Sequence, residues 1–247
     1  MLRRLGRLLL SKTLLVIEIV AGYAAFVLSD AVGVWLVFGQ FISLGRLFRT
    51  PQLPGLPVLL VTLIKAVLFT AAIYGLQRLH RQHLSDLGLR HVKRPPGWWR
   101  VLLVAVGASI LAQGLEIAVA ALMGASAEAD LSAFDLRTLP SVLGWIGVGW
   151  VHGGFIEELL YRGFLFTRLE ALFGRGRWST VLAVLLLVAF FGLGHAYQGW
   201  WGMLSTGFSA LVFFGVYFWS KRNLWATILM HGCYDTVGWL LIISSGG

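Results

Sequence analysis

The chain has 247 residues, of which 58% are hydrophobic and 13% charged, and its mean hydropathy is +0.80. Soluble domains carry about 25% charged residues, so that class is excluded; the single cysteine, Cys233, excludes a disulfide scaffold, and the wealth of aliphatic and aromatic residues excludes disorder. The 20 Lys and Arg against 11 Asp and Glu would suggest nucleic acid in a soluble protein, but on long apolar runs they read as basic loops on one side of a membrane, with no nucleic-acid partner.

Windows of about 19 residues place apolar spans near 13–39, 57–79, 99–123, 139–167, 179–196, 202–220 and 223–243. The expected fold class is all-α: a polytopic transmembrane helical bundle of about seven spans, bracketed by six and eight. The first segment is long and carries Glu18 and Asp30, so it is tilted or broken near Ser29–Asp30. Glu18 interrupts any apolar core of a signal peptide, which favours an uncleaved first span.

Basic residues in the gaps set the orientation. One side holds Arg3, Arg4, Arg7, Lys12, Arg78, Arg81, Arg90, Lys93, Arg94, Arg100, Arg168, Arg175, Arg177, Lys221 and Arg222. The other holds Arg46, Arg49 and Arg137 and the acidic stretch Glu128–Asp135. The asymmetry predicts a cytoplasmic N-terminus. Tyr197–Trp201 suits an aromatic belt at the outer interface. The loop Arg78–Arg100, with Pro95–Pro96 before Trp98–Trp99, reads as a connector within one membrane domain.

Ionisable groups inside apolar helices are costly and are therefore candidate functional residues. Glu158 and Arg162 are four residues apart and share a helix face, acid before base. Glu157 points about 100° away on an α-helix, so the two carboxylates are not expected to serve one partner, and Glu157 stays available. His231 and Asp235 repeat the four-residue spacing, which lets the carboxylate fix one imidazole tautomer. Phe191 stands one turn before His195. Glu18, Asp30, Lys65 and Glu116 are isolated and read as capping, snorkelling or bundle-pairing residues. His152 falls at the periphery of the cluster, and Cys233 reads as a small buried thiol. Gly144, Gly147, Gly149, Gly153 and Gly154 precede Glu157 and permit close helix approach.

Three ordered motifs, Glu157-Glu158-x-x-x-Arg162, Phe191-x-x-x-His195 and His231-x-x-x-Asp235, resemble those of the CPBP intramembrane endopeptidases. That family comprises type II CAAX prenyl endopeptidases and bacterial bacteriocin-processing or immunity proteins. The resemblance covers about residues 140–240. It divides the chain into N-terminal transmembrane helices with a basic cytoplasmic loop, 1–138, and a catalytic bundle of four helices, 139–247. It implies a hydrolase cutting a membrane-associated peptide or protein from a site that opens toward the cytoplasm. Glu157 and His195 would activate a water, and His231 with Asp235 would stabilise the oxyanion or complete the polar site. Glu158, Arg162 and Phe191 would support them.

The prenyl-protease branch has Asn at the last motif position. An ionised Asp235 only accepts hydrogen bonds, so it must be protonated, orient His231 or ligate a metal. Metal-free, glutamate-type chemistry is favoured. Zn2+ stays open as the alternative, with Glu157, His195 and His231 as the candidate ligands. A non-proteolytic scaffold or immunity protein and a transporter are the competing functions. Arg-rich composition suggests a bacterial plasma membrane, while substrate identity and oligomeric state are outside what the residues indicate. Counting about 1.5 Å per residue from the basic loops places Glu157 about 16 Å deep, His231 about 12 Å and His195 about 25 Å, a mismatch for one site.

Overall fold

Inside a bilayer the backbone has no water to bond, so each apolar run must close its hydrogen bonds within a helix. In the computed structural model the described residues are 2–40, with side chains from 11, then 52–90, 97–123, 134–174 and 176–244. Residues 46, 49, 93–96, 175 and 128–133, which carry part of the basic count, Pro95–Pro96 and most of the acidic stretch, lie outside the described residues, as do the side chains at 3, 4 and 7.

Seven helices among the described residues are long and apolar enough to cross a membrane. The spans are α1 (Leu2–Phe38), α2 (Gly55–Leu79), α3 (Gly97–Met123), a composite helix, α6 (Arg177–Gly194), α7 (Gly199–Trp219) and α8 (Leu224–Ser244). The composite helix joins α4 (Leu139–Val148), π-helical turns over Gly149–Glu157 and Leu159–Leu165, and α5 (Phe166–Phe173). The chain is therefore an integral membrane protein of the expected class. Helix α1 runs unbroken through Ser29–Asp30, which excludes the break and leaves the tilt. One detail differs from expectation. The fourth span continues to Phe173, because Arg168 and Glu170, which end the apolar run, are neutralised inside the bundle.

Alternation of the spans is written in two contacts. A short parallel pairing of β1 (Leu53–Pro54) with β2 (Phe134–Asp135) aligns the entries to α2 and α4. The Gly55 amide then donates to Ser141 Oγ at 2.7 Å. Parallel entry requires the second and fourth spans to cross in the same sense. At the opposite end, Arg90 donates to the Lys221 and Arg222 carbonyls, and the Leu224 amide donates to the Gly88 carbonyl at 2.9 Å. Gly88 adopts φ +107°, and a Cβ there would meet the Arg222 carbonyl oxygen.

The charges that looked isolated are paired across helices. Lys65 Nζ donates to Asp30 at 3.0 Å and lies 3.6 Å from the Phe26 ring centroid. Arg168 bonds Glu18 at 2.5 Å and also bonds Gln77, and Glu18 receives His80 at 2.7 Å. The Tyr234 hydroxyl donates to Glu116 at 2.5 Å, linking α8 to α3. Bundle pairing is the explanation that holds for all four. Cys233 is half-buried rather than enclosed.

Lys65 and Asp30 tie α2 to α1 in a buried setting, where removing one partner of an ion pair costs about 3–5 kcal/mol. Lys65→Met is expected to lower the thermal unfolding midpoint of the detergent-extracted protein, and adding Asp30→Asn should recover part of the loss. A Lys65→Met protein as stable as the parent would contradict the pairing.

Candidate active site

Close helix approach builds the site. Gly149, Gly153 and Gly154 face α8: a Cβ on Gly153 would stand 2.9 Å from His231 Nε2, and one on Gly149 would stand 2.8 Å from Asp235 Cβ. Without side chains at these positions, the composite helix lays its backbone against the polar face of α8. Gly232 answers from α8, receiving the Trp150 ring, whose Nε1 donates to Thr236 at 3.0 Å.

The Glu158 carboxylate is fully buried, and its Oε1 accepts from Arg162 at 2.9 Å and pairs with His231 Nδ1 at 2.9 Å. Arg162 is also fully buried; its second terminal nitrogen donates to the Ala210 carbonyl on α7 at 3.0 Å. The rings of Phe191, Phe213 and Phe214 lie 5.2, 5.2 and 4.9 Å from the guanidinium. One ion pair thus binds the composite helix to α6, α7 and α8. The four-residue spacing of Glu158 and Arg162 is realised as expected.

The partner of His231 differs from expectation. Asp235 Oδ1 stands 3.8 Å from His231 Nε2, beyond hydrogen-bond distance. Glu158, not Asp235, holds Nδ1 and so sets the tautomer. The two adjacent carboxylates also flank one imidazole, with Glu157 Oε2 3.9 Å from Nε2. The 100° separation assumed an α-helix; π-helical winding changes the angular step and brings both acids toward α8.

His195 closes α6 as its C-terminal cap. Its Nδ1 lies 2.8 Å from the Phe191 carbonyl, and its ring packs 4.7 Å from the Phe191 ring. Phe191 in turn lies 6.2 Å from the His231 ring, so it separates the two histidines. The structure therefore gathers Glu157, His231 and Asp235 directly, with His195 at the rim.

The depth mismatch narrows, without closing, when the helices are measured from a shared end. Glu170 accepts both terminal nitrogens of Arg222, at 2.7 and 2.8 Å, and the Thr180 hydroxyl at 2.6 Å. From these anchors, about 1.5 Å per residue places Glu157 about 20 Å away, His195 about 23 Å and His231 about 14 Å. Glu157 is deeper than expected because its helix extends to Phe173.

His152 belongs closer to the site than its sequence position indicated: its Nε2 stands 3.5 Å from Glu157 Oε1. A five-residue spacing carries no signal in an α-helical reading. Among the described residues no three His, Cys, Asp or Glu side chains close on a common point as a metal-binding group. Glu157, His195 and His231 do not form a zinc cage in this arrangement.

Residues 139–237 match the Rce1-like family, described as type II CAAX prenyl endopeptidase Rce1-like. The match bears out the resemblance drawn from the three motifs and spans all of them. The matched stretch takes in the last four of the seven helices that, among the described residues, are long and apolar enough to cross a membrane. No curated protein and no solved structure matches the chain.

Two variants test the site's construction. Gly153→Ala would push a methyl group onto His231 and Asp235, and is expected to cut turnover at least about tenfold, since small misplacements at a reacting centre carry large penalties; the assay is peptide cleavage by folded protein. Arg162→Ala leaves Glu158 without its arginine, and a loss of about 3–5 kcal/mol should appear as poor yield and a lowered unfolding midpoint. A stable but inactive Arg162→Ala would instead place the arginine among the reacting groups.

Proposed function

We propose, from the Rce1-like match over residues 139–237, that the protein is an intramembrane endopeptidase acting on a membrane-associated peptide or protein through a glutamate-activated water. The observation that carries this reading is the arrangement around His231. Glu158 holds its Nδ1 at 2.9 Å, while Nε2 faces the Glu157 and Asp235 carboxylates at 3.9 and 3.8 Å, beyond hydrogen-bond distance, and is positioned to meet a reacting group.

Glu157 takes a proton from the water as it attacks the peptide carbonyl, then returns it to the departing amine. His195, at the rim, assists in orienting that water. An ionised Glu158 can only accept, so the proton it shares belongs to His231 Nδ1. In its imidazolium form His231 presents Nε2–H to the developing oxyanion, and Glu158 offsets the charge. Fixed donors of this kind act most strongly where water is excluded, and the His231 side chain is buried among helices. Asp235, across from Gly149 and Gly153, stands 3.8 Å from the same Nε2 and completes the polar wall beside it.

The charge distribution over the loops supports a cytoplasmic N-terminus and a site reached from the cytoplasm, and the Arg-rich composition supports a bacterial plasma membrane. This glutamate-type chemistry uses no Zn2+.

Purified protein in proteoliposomes, assayed on a peptide substrate with and without chelator, tests the reading. Glu157→Gln keeps shape but cannot accept the proton, and turnover is expected to fall about 10²–10⁴-fold with substrate binding intact. Asp235→Asn should keep a measurable fraction of activity, and chelator should leave the parent unchanged. Full cleavage by Glu157→Gln would remove Glu157 from the chemistry, and absence of cleavage by the parent would move the protein to the scaffold class. Joint loss of bound metal and activity in Asp235→Asn would make it a metalloenzyme.

A further inference from the structure

Glu157 has a neighbour that the three motifs do not contain. His152 Nε2 stands 3.5 Å from Oε1, whereas Oε2 faces His231 Nε2 at 3.9 Å, so the two oxygens are addressed by different histidines. On an α-helix, residues five apart point about 140° away from each other. Residues Gly149–Glu157 are wound as π-helix, whose i to i+5 bonding brings residues five apart round to the same side. The irregular winding therefore has a local consequence: it puts His152 on the face of Glu157.

The N-terminal spans back this histidine. The His152 ring lies 6.0 Å from Phe26 on α1, and Phe26 bears the Lys65 ammonium at 3.6 Å. Lys65 is held by Asp30 at 3.0 Å. Nδ1 of His152 is closed off from solvent and has no hydrogen-bond partner among the described residues. An unmade bond at a buried imidazole is costly, and a residue chosen for packing alone would be apolar. The imidazole's other nitrogen is the one aimed at Glu157.

We propose that His152 is a positioning residue: its Nε2 holds Oε1 of Glu157, leaving Oε2 for the water opposite His231. This rests on the endopeptidase reading of the site. It also makes α1 and α2 part of the active-site wall, since Phe26, Asp30 and Lys65 fix the imidazole from behind.

The test uses the full chain in proteoliposomes with three substitutions. His152→Gln places its amide nitrogen near the position of Nε2, His152→Asn places it near Nδ1, and His152→Phe keeps ring volume without a donor. Removal of a positioning partner typically costs about 10–100-fold. His152→Phe and His152→Asn should lose kcat to that extent with KM within about twofold, and His152→Gln should recover most of it. A second readout is independent of turnover: the carboxylate infrared band of ¹³C-glutamate-labelled protein that vanishes in Glu157→Gln. This band should shift in His152→Asn and return in His152→Gln. Equal kcat and an unmoved band in His152→Asn would overturn the proposal while leaving the endopeptidase reading intact. Should the parent cleave nothing, that reading fails, and the infrared band alone decides whether His152 holds Glu157.

Discussion

The Glu158 carboxylate, buried with no exposure to solvent, is the constraint around which the C-terminal bundle is arranged. A bare carboxylate in hydrocarbon is strongly unfavourable, so its charge must be met by partners held in place. Arg162 meets it from the same helix and His231 from α8. Arg162 needs further satisfaction, which it finds in the Ala210 carbonyl and three phenylalanine faces. Meeting one buried charge thus fixes the relative placement of four spans, and with it the nitrogen that His231 offers to the site.

Helix winding is the second determinant. Glycine at 149, 153 and 154 lets α8 approach the composite helix closely, and the same stretch is π-helical. Irregular turns of this kind are uncommon in helices and concentrate at functional sites. Here they bring Glu157 and Glu158 toward one imidazole, and they bring residue 152 round to residue 157. A regular α-helix with the same residues would present a different set of neighbours.

The remaining buried charges organise the periphery. Lys65 with Asp30 joins the first two spans beneath His152, while Glu18 with Arg168 and Glu170 with Arg222 join helix ends at one membrane face. These pairs carry little net stabilisation once desolvation is counted, but leaving any one half-made would be expensive. They act as registers that hold long apolar helices, which would otherwise slide against similar neighbours in lipid.

Much of this protein was legible from residue order. Apolar runs determine the spans, because a bilayer leaves no alternative to helices, and the four-residue spacing of Glu158 and Arg162 determines their pairing. The three motifs also marked the buried polar cluster, since charge inside an apolar helix needs a reason to be there. What only the tertiary structure decided was which groups meet across helices and across irregular turns. His231 lies four residues before Asp235, yet Glu158 from another helix holds its Nδ1. His152 lies five residues from Glu157, a spacing that separates side chains in an α-helix and joins them where the winding is π. Sequence periodicity assumes a regular helix and local partners. Buried charge overrides both, because its energy depends on the nearest counter-charge in space, whatever the distance along the chain.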